Sequence, residues 1–140
     1  KALYEDISAH LQSVQELVGE LNIRQPTLVE EYRSRLKERV ELLLSGGNLD
    51  PQRIEQEVVI FAEKSDVNEE LVRLESHITE FRKLMDSGEA VGRKLDFLLQ
   101  EMNREVNTVA SKVSDTVASQ ATVNIKSELE KMRQQAQNVE

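Results

Sequence analysis

The feature that most narrows the fold is a run of apolar residues spaced alternately four and three apart. Val67, Leu71, Leu74, Ile78, Phe81 and Met85 keep that spacing, and Leu95, Leu98/Leu99, Met102, Val106, Val109 and Val113 repeat it. On a helix of 3.6 residues per turn these positions form one stripe, which must be buried against other helices. A strand would send successive side chains to opposite faces. Two seams of this length therefore predict long, packed α-helices.

The flanking segments read the same way. Leu3, Ile7, Leu11, Val14, Leu17, Val18 and Leu21 predict a first helix. Pro26 is expected to interrupt it, with Thr27 as a new N-cap, Glu30 completing a capping box, and a second helix to about Leu44. "SGGNLDPQR" is the clearest break: Gly46 and Gly47 can stop a helix, Asp50 can cap the next, and Pro51 suits its first position. A third helix holds Ile54, Val58, Val59, Ile60, Phe61 and Ala62. At "KSDVNEE" two readings stay open, a fresh start capped by Ser65 or Asp66 and a kinked continuation. "DSGEAVG" breaks or bends the path near Gly88, and "SDTVASQ" loosens the pattern before a last helix through Ile125, Leu129 and Met132 to about Val139. The expectation is an all-α chain, an elongated antiparallel helical bundle of about five or six helices with two long central helices. Residues 1–140 read as a single helical domain.

Composition supports this and removes several classes of function. Only 4% of residues are aromatic, too few for a typical sheet-rich fold, and the absence of Cys excludes disulfides and thiolate metal sites. No apolar run is long enough to span a bilayer, so no membrane partner is expected; the lack of Cys is compatible with a reducing compartment, and the cytoplasm is the expected location. The net charge of −8 gives no global field favouring nucleic acid, although Gly88 to Lys112 is locally neutral. The phosphate loop, the dinucleotide turn, the HExxH pair and the GxSxG elbow are all missing.

Two polar stripes stand out beside the seams. Asp66, Glu70, Arg73 and His77 fall at i, i+4, i+7 and i+11, and so do Asp96, Gln100, Asn103 and Asn107. Each set clusters within about 60° on its helix, at the edge of the apolar stripe. Asn and Asp are poor helix formers, so the second stripe is not ordinary solvated filler. One reading is structural: surface pairing for the first stripe and an amide network between helices for the second. The other is a site in which carboxylates and amides meet a polar ligand, a metal shell or phosphate. The stripes are offset from their seams in opposite senses. If the two seams pack as an antiparallel hairpin, the stripes lie on opposite sides of it and meet only through another packing partner or a subunit boundary. His10 stands apart from both and reads as structural.

Three strings carry a family likeness: "LDPQRIEQEVVIFAEKSDVNEELVRLESHITEF", "GRKLDFLLQEMNREVNTVASK" and the ending "ELEKMRQQAQNVE". In these the chain resembles the C-terminal, helical half of the YicC/YloC family of bacterial proteins. The resemblance implies a stress-associated, metal-dependent endoribonuclease that assembles into oligomeric rings, with a further N-terminal domain upstream of Lys1. Under it, Asp66, Glu70 and Asp96 become candidate ligands for a divalent metal, Mg²⁺ or Mn²⁺, which prefers hard oxygen donors. Together with His77 they form the candidate catalytic set, the imidazole trading protons near neutral pH. Arg73, Arg93, Lys94 and Arg104 become candidate phosphate contacts, and Gln100, Asn103 and Asn107 candidate hydrogen-bonding groups for RNA. The competing expectation is a non-catalytic oligomerisation or scaffold domain.

Overall fold

The computed structural model describes residues 2–46, 51–88, 92–113 and 115–138. Five helices account for nearly all of them: α1 (Ala2–Ser45), α2 (Pro51–Ser65), α3 (Asn68–Asp86), α4 (Gly92–Lys112) and α5 (Thr116–Ala136). There is no strand among the described residues. Helix α1 packs on α5, α5 on α4, α4 on α3, and α3 back on α1, while α2 packs on α1. The first half of α1 therefore closes a four-helix ring with α3, α4 and α5. Their directions alternate. Arg82, late in α3, donates to Gln12 and Gln15, and Asn22 donates to Glu75 nearer the α3 start. His10 meets Glu128 late in α5, whereas Arg24 meets Asp115 at its start.

The apolar seams fill the ring. Val67, Leu71, Leu74, Ile78 and Phe81 are buried against Leu95, Leu98, Leu99, Met102, Val106 and Val109. Ile7 to Leu28 of α1 and Ala118 to Ala136 of α5 complete a single cluster. Each fully buried large apolar side chain contributes about 1.5–3 kcal/mol, which sets this core well above any single polar contact.

Helix boundaries follow local chemistry in most places. Helix α2 begins at Pro51, while the expected cap at Asp50 and the stop at Gly47 lie outside the described residues. At "KSDVNEE" the chain does start afresh. Asp66 Oδ1 accepts the Asn68 N–H at 2.9 Å, so α3 begins just past Val67. Helix α3 ends at Asp86; the N–H of Ser87, its C-cap, bonds Lys83 O, and Gly88 follows with φ +73. That left-handed turn is open to glycine at little cost. Helix α5 starts earlier than the loosened pattern suggests, because Asp115 caps it by accepting the Ala118 N–H at 2.9 Å. It ends at Ala136, and Val139 lies outside the described residues.

Pro26 does not interrupt α1, which runs unbroken for 44 residues. The missing Pro26 N–H and ring clash cost about 3 kcal/mol in an isolated helix. Tertiary contacts on either side outweigh that. Leu21 and Leu28, two turns apart on one face, are both buried, at 1% and 2% exposure. Between them Gln25 donates to Asn22 and Asn68, and Arg24 grips Asp115 through two hydrogen bonds. Thr27 is consequently an interior helix residue and caps nothing.

Past Leu28 the packing changes. Neither α1 nor α2 has a buried side chain there among the described residues. The two hold each other by a Tyr32–Phe61 edge contact, with ring centroids 5.5 Å apart, and by Arg39 and Glu57 at 3.7 Å. They form a hairpin standing off the ring, with Leu42, Val58, Val59 and Ile60 exposed.

The Arg24 guanidinium, chiefly through its hydrogen bonds, lowers the Asp115 carboxyl from 3.8 to about 2. A depressed carboxyl adds stability that is complete above its unfolded value and is lost as pH falls through its folded one. Asp115→Ala, which removes both the cap and the pair, is expected to cost about 1–2 kcal/mol at neutral pH. Asp115→Asn keeps capping ability and should cost less. Urea unfolding between pH 7 and pH 2 checks this: the gap between wild type and either variant is constant down to about pH 4 and narrows towards pH 2.

Candidate functional site

The two polar stripes lie in different interfaces. The first faces α4 from α3 and is absorbed into an ion-pair cluster. Glu70, only 3% exposed, lies 3.2 Å from Lys112 Nζ and 3.6 Å from Arg73 Nη2. Arg73 donates its Nε to Glu105 Oε2 at 2.8 Å, and the same Lys112 donates to the backbone oxygen of Asp66 at 2.9 Å. Two buried carboxylates thus alternate with two partly exposed cations along the α3–α4 seam. A buried carboxylate is tolerated only when paired, and each here has a cation. The Glu105 hydrogen bond, with Glu70 nearby, raises the Arg73 guanidinium above its ordinary value. His77, one turn beyond Arg73, is half-buried, and its Nδ1 is enclosed without a hydrogen-bond partner.

The second stripe faces α5 and solvent. Asp96 Oδ2 accepts from Gln100 Nε2 at 2.9 Å, and its buried Oδ1 lies 3.5 Å from Arg133 Nε with no aligned hydrogen bond. Gln100 and Asn103 border a small cavity of about 90 Å³ floored by Leu99 and Leu129, with Lys126, Glu130 and Arg133 on the α5 side. Asn107 is exposed, as are Arg93, Lys94 and Arg104, and none of these three cations is ion-paired among the described residues.

Within one chain, the candidate residues therefore fall into separate groups. Glu70 and Arg73 sit together with Glu105 and Lys112, and Asp66 is linked to them only through its backbone. Asp96 and Gln100 pair with each other beside Arg133. Among the described residues no three His, Asp or Glu side chains gather where they could hold one ion. Asp66, Glu70 and Asp96 do not fit a metal as one chain presents them: Asp66 accepts the Asn68 N–H at the start of α3, Glu70 is neutralised by two cations, and Asp96 lies on the far side of α4.

Several participants were not singled out from the sequence. Glu105 and Lys112 share the α3-facing edge of α4 at a spacing of seven, a periodicity visible once the seam is drawn. Arg133 required the register of α5 on α4. Phe97 lies off the apolar seam, on the solvent side of α4, and is 61% exposed. His10, read as isolated, has its Nδ1 2.5 Å from Glu128 and joins α1 to α5.

The cluster makes a measurable claim about stability. Lys112→Met leaves Glu70 with only the longer Arg73 contact and is expected to destabilise the fold by about 1–3 kcal/mol. Arg93→Gln, on the open face, is expected to stay within about 0.5 kcal/mol of wild type. Urea titrations of both variants at neutral pH decide it, and equal stabilities would show the cluster to be energetically idle.

Comparison with known proteins places this geometry in a family. A family model described as "Endoribonuclease YicC-like, C-terminal" matches residues 21–140. The chain is 43% identical over 141 aligned positions to a "Probable endoribonuclease YicC" of Clostridioides difficile (strain 630), covering 100% of this chain and 48% of the relative. It is 41% identical over 138 positions to a protein of the same description from Haemophilus influenzae (strain ATCC 51907 / DSM 11121 / KW20 / Rd), covering 99% of this chain and 47% of the relative. The chain thus spans about half the length of the curated relatives it matches. The five-helix chain belongs to the YicC-like endoribonuclease family, as its C-terminal region.

Proposed function

We propose that this chain is the helical C-terminal half of an endoribonuclease that cleaves RNA phosphodiester bonds in the cytoplasm. The observation that carries the reading is identity of 41% to 43%, over nearly the whole chain, to proteins described as probable endoribonucleases. The unpaired cations of α4 suit phosphate, and the half-buried imidazole of His77 suits proton transfer to or from a ribose oxygen. A divalent metal, Mg²⁺ or Mn²⁺, is part of the family-based reading. Among the described residues of one chain no three His, Asp or Glu side chains gather to hold it, and the roles proposed for this chain are phosphate binding and proton transfer.

The His77 stripe lies in the α3–α4 interface and Asp96 faces α5 across α4, so the reading draws a site using both from different protomers. The homo-oligomer this requires has a candidate contact in the α1–α2 hairpin, where Val58, Val59 and Ile60 are exposed. A second copy presenting the same surface is the occupant proposed. The competing scaffold reading is favoured by one observation: Glu70, Arg73, Glu105 and Lys112 satisfy one another, as a structural lock would.

In the full-length protein, His77→Ala and Asp96→Ala are each expected to cut RNA cleavage at least about tenfold with melting unchanged. Mixed oligomers assembled from the two inactive variants should regain part of the activity. Wild-type cleavage by both variants would remove these residues from the site, and inactive mixtures would remove the shared-site arrangement. Val59→Glu with Ile60→Glu should reduce the particle size seen by light scattering, and an unchanged size would assign the hairpin another role.

A further inference from the structure

The solvent face of α4 combines an aromatic ring, free cations and short amides. At 100° per residue, Arg93, Phe97, Gln100, Arg104 and Asn107 fall within about 80° of one another, with Asn103 beside them. All six are exposed or partly so, and Phe97 keeps 61% of its surface open. Most other arginines of the chain, among them Arg24, Arg33, Arg39, Arg73 and Arg133, face a carboxylate within 4.0 Å, whereas Arg93 and Arg104 have none among the described residues. The carboxylates bordering this face are Asp96, engaged by Gln100 and Arg133, and the half-buried Glu101. In a chain of net charge −8, this is a locally cationic strip.

A single exposed Phe is ordinary on a protein surface. One set between two unpaired guanidiniums and three side-chain amides has the composition of a stacking platform for nucleic acid. We infer that this face of α4 binds single-stranded RNA, with an unpaired base stacked on Phe97 and flanking phosphates held by Arg93 and Arg104. The inference rests on the endoribonuclease reading and adds the form of RNA and the contacts that select it. Arg93 and Arg104 lie about 16 Å apart along the helix axis, with Phe97 between them, so a short run of backbone passes both cations while a base meets the ring. Gln100, Asn103 and Asn107 present donors and acceptors to base edges. Duplex RNA cannot use the ring, because its base faces are already stacked on one another. A partner helix would demand apolar anchors at the positions that Arg93, Gln100 and Arg104 occupy.

The test uses the full-length protein and a labelled, unstructured RNA of about 12 nucleotides, free or annealed as a blunt duplex, followed by fluorescence anisotropy. The wild type should prefer the single strand. Phe97→Ala should weaken single-strand binding about tenfold and leave duplex binding unchanged, while Phe97→Tyr retains it. Arg93→Gln with Arg104→Gln should flatten the dependence of log K on log salt by about 1.4, about 0.7 for each phosphate no longer neutralised. Melting checks that these exposed substitutions leave the fold intact. Unchanged single-strand binding by Phe97→Ala overturns the platform, and if wild type still cleaves RNA the endoribonuclease reading survives. A change of particle size with unchanged RNA binding also overturns it, making the face a protomer contact. A wild type that neither binds nor cleaves RNA removes both readings.

Discussion

Mutual burial of four apolar stripes is the constraint on which the rest of this structure depends. Once α1, α3, α4 and α5 close around Leu11, Leu74, Phe81, Met102 and Ile125, each helix has a fixed rotation. Everything polar is then sorted by its angle from the stripe. Residues just beside it become partly dehydrated and need partners, which is why Glu70, Glu105, Arg73 and Lys112 interlock. Residues opposite it face water, which is where Arg93, Phe97 and Arg104 lie. The electrostatics are a consequence of the packing, and the core would form with other charges at the boundary.

The same sorting explains what was legible in the sequence. The α3 and α4 seams follow from local spacing, whereas before α3 the local residues left a fresh start and a kinked continuation equally open. The opposite offsets of the two stripes were legible too, because an angle on a helix needs only a residue count. Pro26 was not, since what carries α1 through it comes from far away in sequence. Arg24 meets a partner 91 residues on, and Leu28 is buried in a core that α1 does not build alone. Asp115 was hidden among the weak signals of "SDTVASQ" for a similar reason, because its cap and its ion pair act together across two helices.

The candidate site was legible as a set of residue types and not as a place. Periodicity identified the members of each stripe, but their neighbours across the interfaces depend on register. Glu105 and Lys112 emerge only when α3 is laid against α4, and Arg133 only when α5 is. The likeness to endoribonucleases supplied the chemistry that those residue types could not choose for themselves, between a locked interface and a reacting centre.

The continuity of α1 has a mechanical meaning. A single helix of about 66 Å is clamped in the ring as far as Leu28 and has no buried side chain beyond it among the described residues. It is a cantilever, and the Arg24–Asp115 grip sits where the clamp ends. Force applied at the α1–α2 tip by any body that holds it is delivered as torque at that grip, and from there to the first turn of α5. A break at Pro26 would have uncoupled the tip from the ring. The unbroken helix joins the two as one continuous element.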